Sequence, residues 1–105
     1  MRVVWTEFAR DCLRDQARYI ATESCLDIAM KWVDRIIEAA EGLVEFPAMG
    51  RKLPEFPSLP YREVIVKKNF RLIYRTKEDV IYVITVRRVS MLLDEDAINI
   101  FDEVV

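Results

Sequence analysis

The sequence predicts an α+β fold of order βααβββ. An antiparallel sheet carries an N-terminal helical hairpin on one face, and a short helical segment follows at the C-terminus. Two observations point there. Residues 7 to 46 repeat apolar groups at helical spacing in two stretches joined by a short link. Residues 61 to 86 hold three strand-like runs separated by turns too short for anything but an antiparallel meander.

Arg2 to Trp5 is a short, partly apolar first strand. Thr6 is placed to cap a helix whose first residue, Glu7, suits the positive helix end. Phe8, Ala9, Cys12, Leu13, Ala17 and Ile20 form its inner stripe. Ser24, three residues before Asp27, is read as the cap of a second helix. In that helix Ala29, Trp32, Val33, Ile36, Ile37, Ala40, Leu43 and Val44 recur at three and four, and Pro47 ends the pattern. Gly42, inside it, is read as a point of close approach, and Gly50 as a turn residue needing positive φ. The two helices should pack as a hairpin on one face of the sheet.

The segment "PAMGRKLPEFPSLP" holds all four prolines and reads as a stiff surface connection. Tyr61–Val66, Phe70–Thr76 and Val80–Val86 are the meander strands, turned at Lys67-Lys68-Asn69 and Lys77-Glu78-Asp79. Period-two alternation puts Phe70, Leu72 and Tyr74 on one face, and Arg71, Ile73 and Arg75 on the other. The first face belongs to the helices. The second is expected to stay open and to gather cations. Asp94 is placed to cap a last short helix that aligns Ala97, Ile98, Phe101 and Val105.

A length of 105 residues suits one domain, residues 1–105. No apolar run is long enough to span a membrane, and the N-terminus lacks the order of a signal peptide, so a cytoplasmic protein is expected. Histidine is absent, which removes Ser-His-Asp and Cys-His catalysis and the commonest metal ligand. Cys12 and Cys25 stand alone as free thiols, so no metal site and no cofactor is implied. The net charge of −2 is unevenly spread: residues 51–88 carry ten basic and four acidic groups, and residues 89–105 carry five acidic and no basic ones. The basic middle suggests an anionic partner, nucleic acid or acidic protein, which the acidic tail could neutralise.

Trp5-Thr6 with Ala9, Tyr19-Ile20, the "FPAMGRKLPEF" loop, Arg62-Glu63, "FRLIYR" and "VIYVITV" follow one another in an order and spacing that resembles the RelE/ParE superfamily of bacterial toxins from type II toxin–antitoxin operons. The resemblance covers roughly residues 3 to 88 and implies the βααβββ fold. It also implies growth inhibition and a cognate antitoxin partner that silences the toxin. Two activities occur in the family. Some members resemble ribosome-dependent, metal-independent endoribonucleases that cut mRNA, and others act on DNA gyrase and replication.

For the nuclease branch the resemblance implies Arg62 and Arg71 as catalytic cations, with Arg87 or Arg88 as a third, because such cleavage needs cations around a phosphorane-like transition state. Glu63 or Glu95 could then serve as base. The C-terminal tyrosine or histidine of that branch is missing, since "SMLLDEDAINIFDEVV" stands in its place. This favours gyrase over the ribosome and mRNA. Lys67, Lys68, Arg75, Arg87 and Arg88 are the candidate residues for binding nucleic acid or an acidic partner. Ordinary structural uses stand beside these: turn residues for the lysines, solvated sheet positions for the arginines, and a cross-strand pair for Arg62 with Glu63. A non-toxic binding or assembly module, including a homodimer closed by the tail, is the reading from a different class.

Overall fold

A computed structural model describes residues 1–105. β1 (Arg2–Trp5) leads into α1 (Glu7–Glu23) and α2 (Leu26–Glu41), and then a 3₁₀ turn at Gly42–Val44. The strands β2 (Arg51–Lys52), β3 (Arg62–Val66), β4 (Phe70–Lys77) and β5 (Val80–Arg88) follow, with α3 (Glu95–Val104) last. The five strands make one sheet of order β1-β5-β4-β3-β2. The meander is antiparallel as expected, while β1 joins its edge parallel to β5. That is the geometry a helical crossover permits. Two-residue β2, inside the proline-rich loop, was not foreseen; it pairs Arg51 with Glu63 and Lys52 with Arg62.

Thr6 does more than cap. Its Oγ1 accepts from Ala9 N at 3.0 Å and donates to Val83 O at 2.8 Å, which ties the start of α1 to β5. Ser24 does not cap α2. Its N–H still closes α1 on Ile20 O at 2.8 Å, so Cys25 takes the N-cap position without a side-chain bond. Regular α2 stops at Glu41, before Pro47, and tightens into the 3₁₀ turn. Gly42 meets nothing within 4 Å of where a Cβ would sit, so it is not a close-approach site. That role belongs to Gly50. No glycine has positive φ, and a Cβ on Gly50 would lie 2.7 Å from Glu63 O and from the Tyr74 ring.

The hairpin turns use left-handed backbone at non-glycine residues. φ is 48° at Lys67, 64° at Lys68, 52° at Glu78 and 64° at Asp79. Two consecutive positive φ values are what a type I′ turn requires to match strand twist.

The alternation in β4 holds. Phe70, Leu72 and Tyr74 enter a core with Ala9, Ile36, Ala40 and Val83 beneath the helical hairpin. Trp5 and Trp32 pack on that core while remaining half-buried. The opposite face is not open. Ile73 and Ile84 join Leu53 from the proline-rich loop, Tyr61 just before β3, and Leu93, Ile98 and Phe101 from the tail, in a second buried cluster. The expectation of an open cationic face is therefore corrected, for a hydrophobic reason. Ile73 and Ile84 put apolar surface on the side away from α1 and α2, and α3 covers it. Asp94 does cap α3, accepting from Ala97 N at 2.9 Å.

Candidate functional site

The cations expected to share one face fall into three environments. Arg71 is the most constrained, at 4% exposure. It projects from β4 toward the second cluster, where its Nε and Nη2 reach Glu63 Oε1 at 2.7 and 2.6 Å. Its Nη1 and Nη2 grip both oxygens of Glu55 at 2.8 Å. The other oxygen of Glu63 takes Arg51 Nε and Nη2, both at 2.7 Å. Glu55 lies between Pro54 and Phe56 in the loop, and it also accepts Leu93 N at 3.0 Å. The network thus joins β2, β3, β4, the loop and the root of α3.

Its electrostatics are one-sided. Hydrogen bonds from Arg71, joined by the Leu93 N–H, hold the Glu55 carboxyl at about 2, against burial, which acts to raise it. The same carboxylates, Glu55 foremost, raise the Arg71 pKa above its ordinary value. Four of the five Arg71 N–H donors meet carboxylates, and the fifth, on Nη1, faces Met91 O at 3.5 Å, so the guanidinium turns its donors to the fold rather than to a substrate phosphate.

Arg62 and Arg75 pair with no carboxylate. Arg62 donates to Gly50 O at 2.8 Å rather than pairing with Glu63. Beside it, Tyr74 OH accepts Gly50 N at 3.0 Å and donates to Pro47 O at 2.6 Å, which pins the loop to the sheet. Burial is the main cause raising the Tyr74 pKa. Arg75 lies 5.9 Å over the Tyr61 ring, and the Tyr61 hydroxyl donates to Asp102 of α3. Burial, and then that aspartate, push the Tyr61 pKa up to about 12. The tail covers its face by packing; none of its acids forms an ion pair with a cation of residues 51–88. Glu95 is exposed in the first turn of α3 and forms no ion pair, and Glu63 is spent on two arginines.

The third set is Lys67, Lys68, Arg87 and Arg88, at one end of the sheet. Register places Arg88 opposite Phe70, and Val89 N donates to Asn69 O at 2.9 Å, so the end of β5 lies beside the β3–β4 turn. None of the four is in an ion pair. Arg87 donates to Leu92 O at 3.2 Å, and Arg88 lies 4.3 Å over the Tyr19 ring. The Nε atoms of both arginines are buried without a partner. A groove of about 530 Å³ opens here, with Tyr19, Trp32 and Phe70 on its walls beside Lys68 and Arg88. Sequence reasoning named the basic residues but missed the groove, which needs α1, α2 and the hairpin turn together. It also missed Glu55 and Arg51, whose only signal was charge within a proline-rich loop.

The sheet with its helical hairpin and its basic end defines a small toxin-like α+β domain. A family model for the ParE toxin of type II toxin–antitoxin systems (parDE) matches residues 3–93, and the chain belongs to that family. Among solved structures it is similar to a chain of the chromosomal ParDE TA system from P. aeruginosa. The TM-score is 0.74 at 23% identity, over 86% of this chain and 97% of that one. No curated relative matches. The protein is the toxin component of a type II toxin–antitoxin system. α3 lies beyond the residues matched by the family model.

Proposed function

We propose that this toxin arrests growth through DNA gyrase, the replication-directed activity of the ParE branch, and does not cut mRNA. One observation supports this above the others. Arg71, one of the two cations that the nuclease reading names, has four of its five N–H donors taken by Glu55 and Glu63. A transition-state phosphate would have to displace two carboxylates from a buried guanidinium, one of them held at about 2. The absence of a C-terminal tyrosine or histidine in residues 90–105 points the same way.

A cognate antitoxin belongs to this reading as the neutralising partner. The whole chain, residues 1–105, acts as one domain, because α3 completes a core that the sheet cannot close alone. The test is expression in a bacterial host. Growth should stop with DNA damage signalling while bulk mRNA stays intact, and co-expression of the neighbouring small gene should restore growth. Ribosome-dependent fragmentation of mRNA would defeat the gyrase reading.

A further inference from the structure

The sheet has two outer edges, and they differ. β2 closes one with Arg51 and Lys52, both charged and exposed, an edge that discourages further pairing. β1 closes the other with Val3, Val4 and Trp5, all half-buried, and Arg2 is its only charge.

One hydrogen bond fixes which backbone groups β1 offers. Thr6 N donates to Val83 O at 3.3 Å, so Thr6 faces β5. Strand residues turn their N–H and C=O groups to alternate sides. Val4 therefore also faces β5, while Val3 and Trp5 face outward. No backbone hydrogen bond outside the β1–β5 ladder engages either residue. The edge thus presents two N–H and two C=O groups that no other strand takes up. The side chains of the same two residues pack on the core beneath the helical hairpin. A groove of about 580 Å³ opens beside them, lined also by Leu13 and Ile37, with Arg10 and Glu41 supplying one charge of each sign.

We propose that β1 is the seam of a homodimer, in which a second copy of this chain adds its own β1 antiparallel and joins the two five-stranded sheets into one. One register uses every free group. Val3 stands opposite Trp5 of the second copy, and Trp5 opposite its Val3, as two hydrogen-bonded pairs; Val4 meets Val4 on the twofold axis. Each Trp5 then lies against Val3 of the other copy, beside the groove. The same register sets Arg2 opposite Thr6 of the second copy, next to Glu7. Arg2 and Glu7 are both exposed, and neither has an ion-pair partner in its own chain. The twofold axis repeats the contact, so two such pairs form and no like charges meet. A foreign strand would satisfy the same backbone groups, but the fit of Arg2 to Glu7 selects a copy of this chain. The dimer is independent of the gyrase reading.

The experiment uses the full chain. Sedimentation equilibrium should show a monomer–dimer equilibrium. Amide exchange followed by NMR at low and high protein concentration should show Val3 and Trp5 becoming protected as the dimer forms, and Val4 protected throughout. Arg2→Glu and Glu7→Arg should each weaken the dimer about tenfold, and Arg2→Glu/Glu7→Arg should recover most of that loss. Melts of each variant check that it folds. A chain that stays monomeric at its highest soluble concentration would overturn the proposal. So would a dimer in which Val3 and Trp5 exchange as in the monomer, or in which the double variant is no better than the single ones. Protection of those two amides only on adding the neighbouring gene's product, with the chain alone monomeric, would also overturn it and give the edge to the antitoxin.

Discussion

Arg71 Nη2 lies 2.6 Å from Glu63 Oε1, with the two side chains 5% and 0% exposed. They are diagonal neighbours on adjacent strands, since Glu63 faces Ile73 and Arg71 faces Ile65 in the register. Arg71 also stands directly opposite Arg87, a like-charge pairing that would cost stability if the carboxylates did not absorb one of the charges.

Removing Arg71 should therefore act on the fold. Arg71→Met leaves Glu55 and Glu63 facing each other's charge without their shared cation, one of them fully buried. Breaking such a pair by deleting one partner costs about 3–5 kcal/mol. Urea denaturation should show this loss as a lowered midpoint. Lys31→Ala, on the exposed face of α2, should change stability by less than about 0.5 kcal/mol. If Arg71→Met kept wild-type stability, the network would not be holding the loop and tail.

Acid should weaken the same network. The folded carboxyl of Glu55 sits at about 2 against an ordinary 4.5, so its contribution is complete above pH 4.5 and fades as pH falls from there toward 2. After screening by solvent the amount is on the order of 1–2 kcal/mol. Tyr61 has the opposite sign: its pKa is raised from 10 to about 12, so its contribution is complete below pH 10 and fades as pH rises toward 12. Melting temperatures across pH should show a plateau between these windows, and Glu55→Gln should flatten the acid side.

Gly50 is needed for space rather than for φ. In Gly50→Ala the new methyl would meet Glu63 O and the Tyr74 ring at 2.7 Å, and crowding of that kind costs about 1–3 kcal/mol. Tyr74→Phe keeps the ring but strands Gly50 N and Pro47 O, also at about 1–3 kcal/mol. Thermal melts of both variants should fall, whereas Gly42→Ala should not be destabilised, because nothing lies within 4 Å of its Cβ position.

The β4–β5 turn leaves stability unused. Glu78 and Asp79 both hold positive φ, which costs an L-residue roughly 1–2 kcal/mol. Replacing them by Asn-Gly should stabilise the chain by about 1 kcal/mol, read as a higher melting temperature. An unchanged or lower value would mean that their side chains support the turn in some other way.

The tail should prove indispensable to folding. Deleting residues 94–105 removes Ile98 and Phe101 from the second cluster and uncovers Tyr61, Ile73 and Ile84. Aggregation or loss of cooperative unfolding is expected, because the exposed face would be a continuous apolar patch. A stable truncated chain with newly gained nucleic-acid binding would instead mean that the tail only masks charge.

Much of this fold was legible from residue spacing. The alternation of Phe70, Leu72 and Tyr74 with Arg71, Ile73 and Arg75 gave the correct faces, and Thr6 and Asp94 gave correct caps. The failure lay in leaving one face open. A signal against that was present. The run "VIYVITV" is nearly continuous in apolar residues, as in a strand covered on both sides, and α3 carries the matching stripe. The destination of Glu55 was not legible, because a single acid in a proline-rich loop carries no periodicity. Nor was the groove, which joins residues as far apart in sequence as Tyr19 and Arg88.

The central claim, a toxin that acts on gyrase while Arg71 serves the fold, is tested most directly with the purified chain. It should block supercoiling of plasmid DNA by gyrase, and leave mRNA whole when added to translating ribosomes. Unimpeded supercoiling together with ribosome-dependent cuts in the message would contradict it.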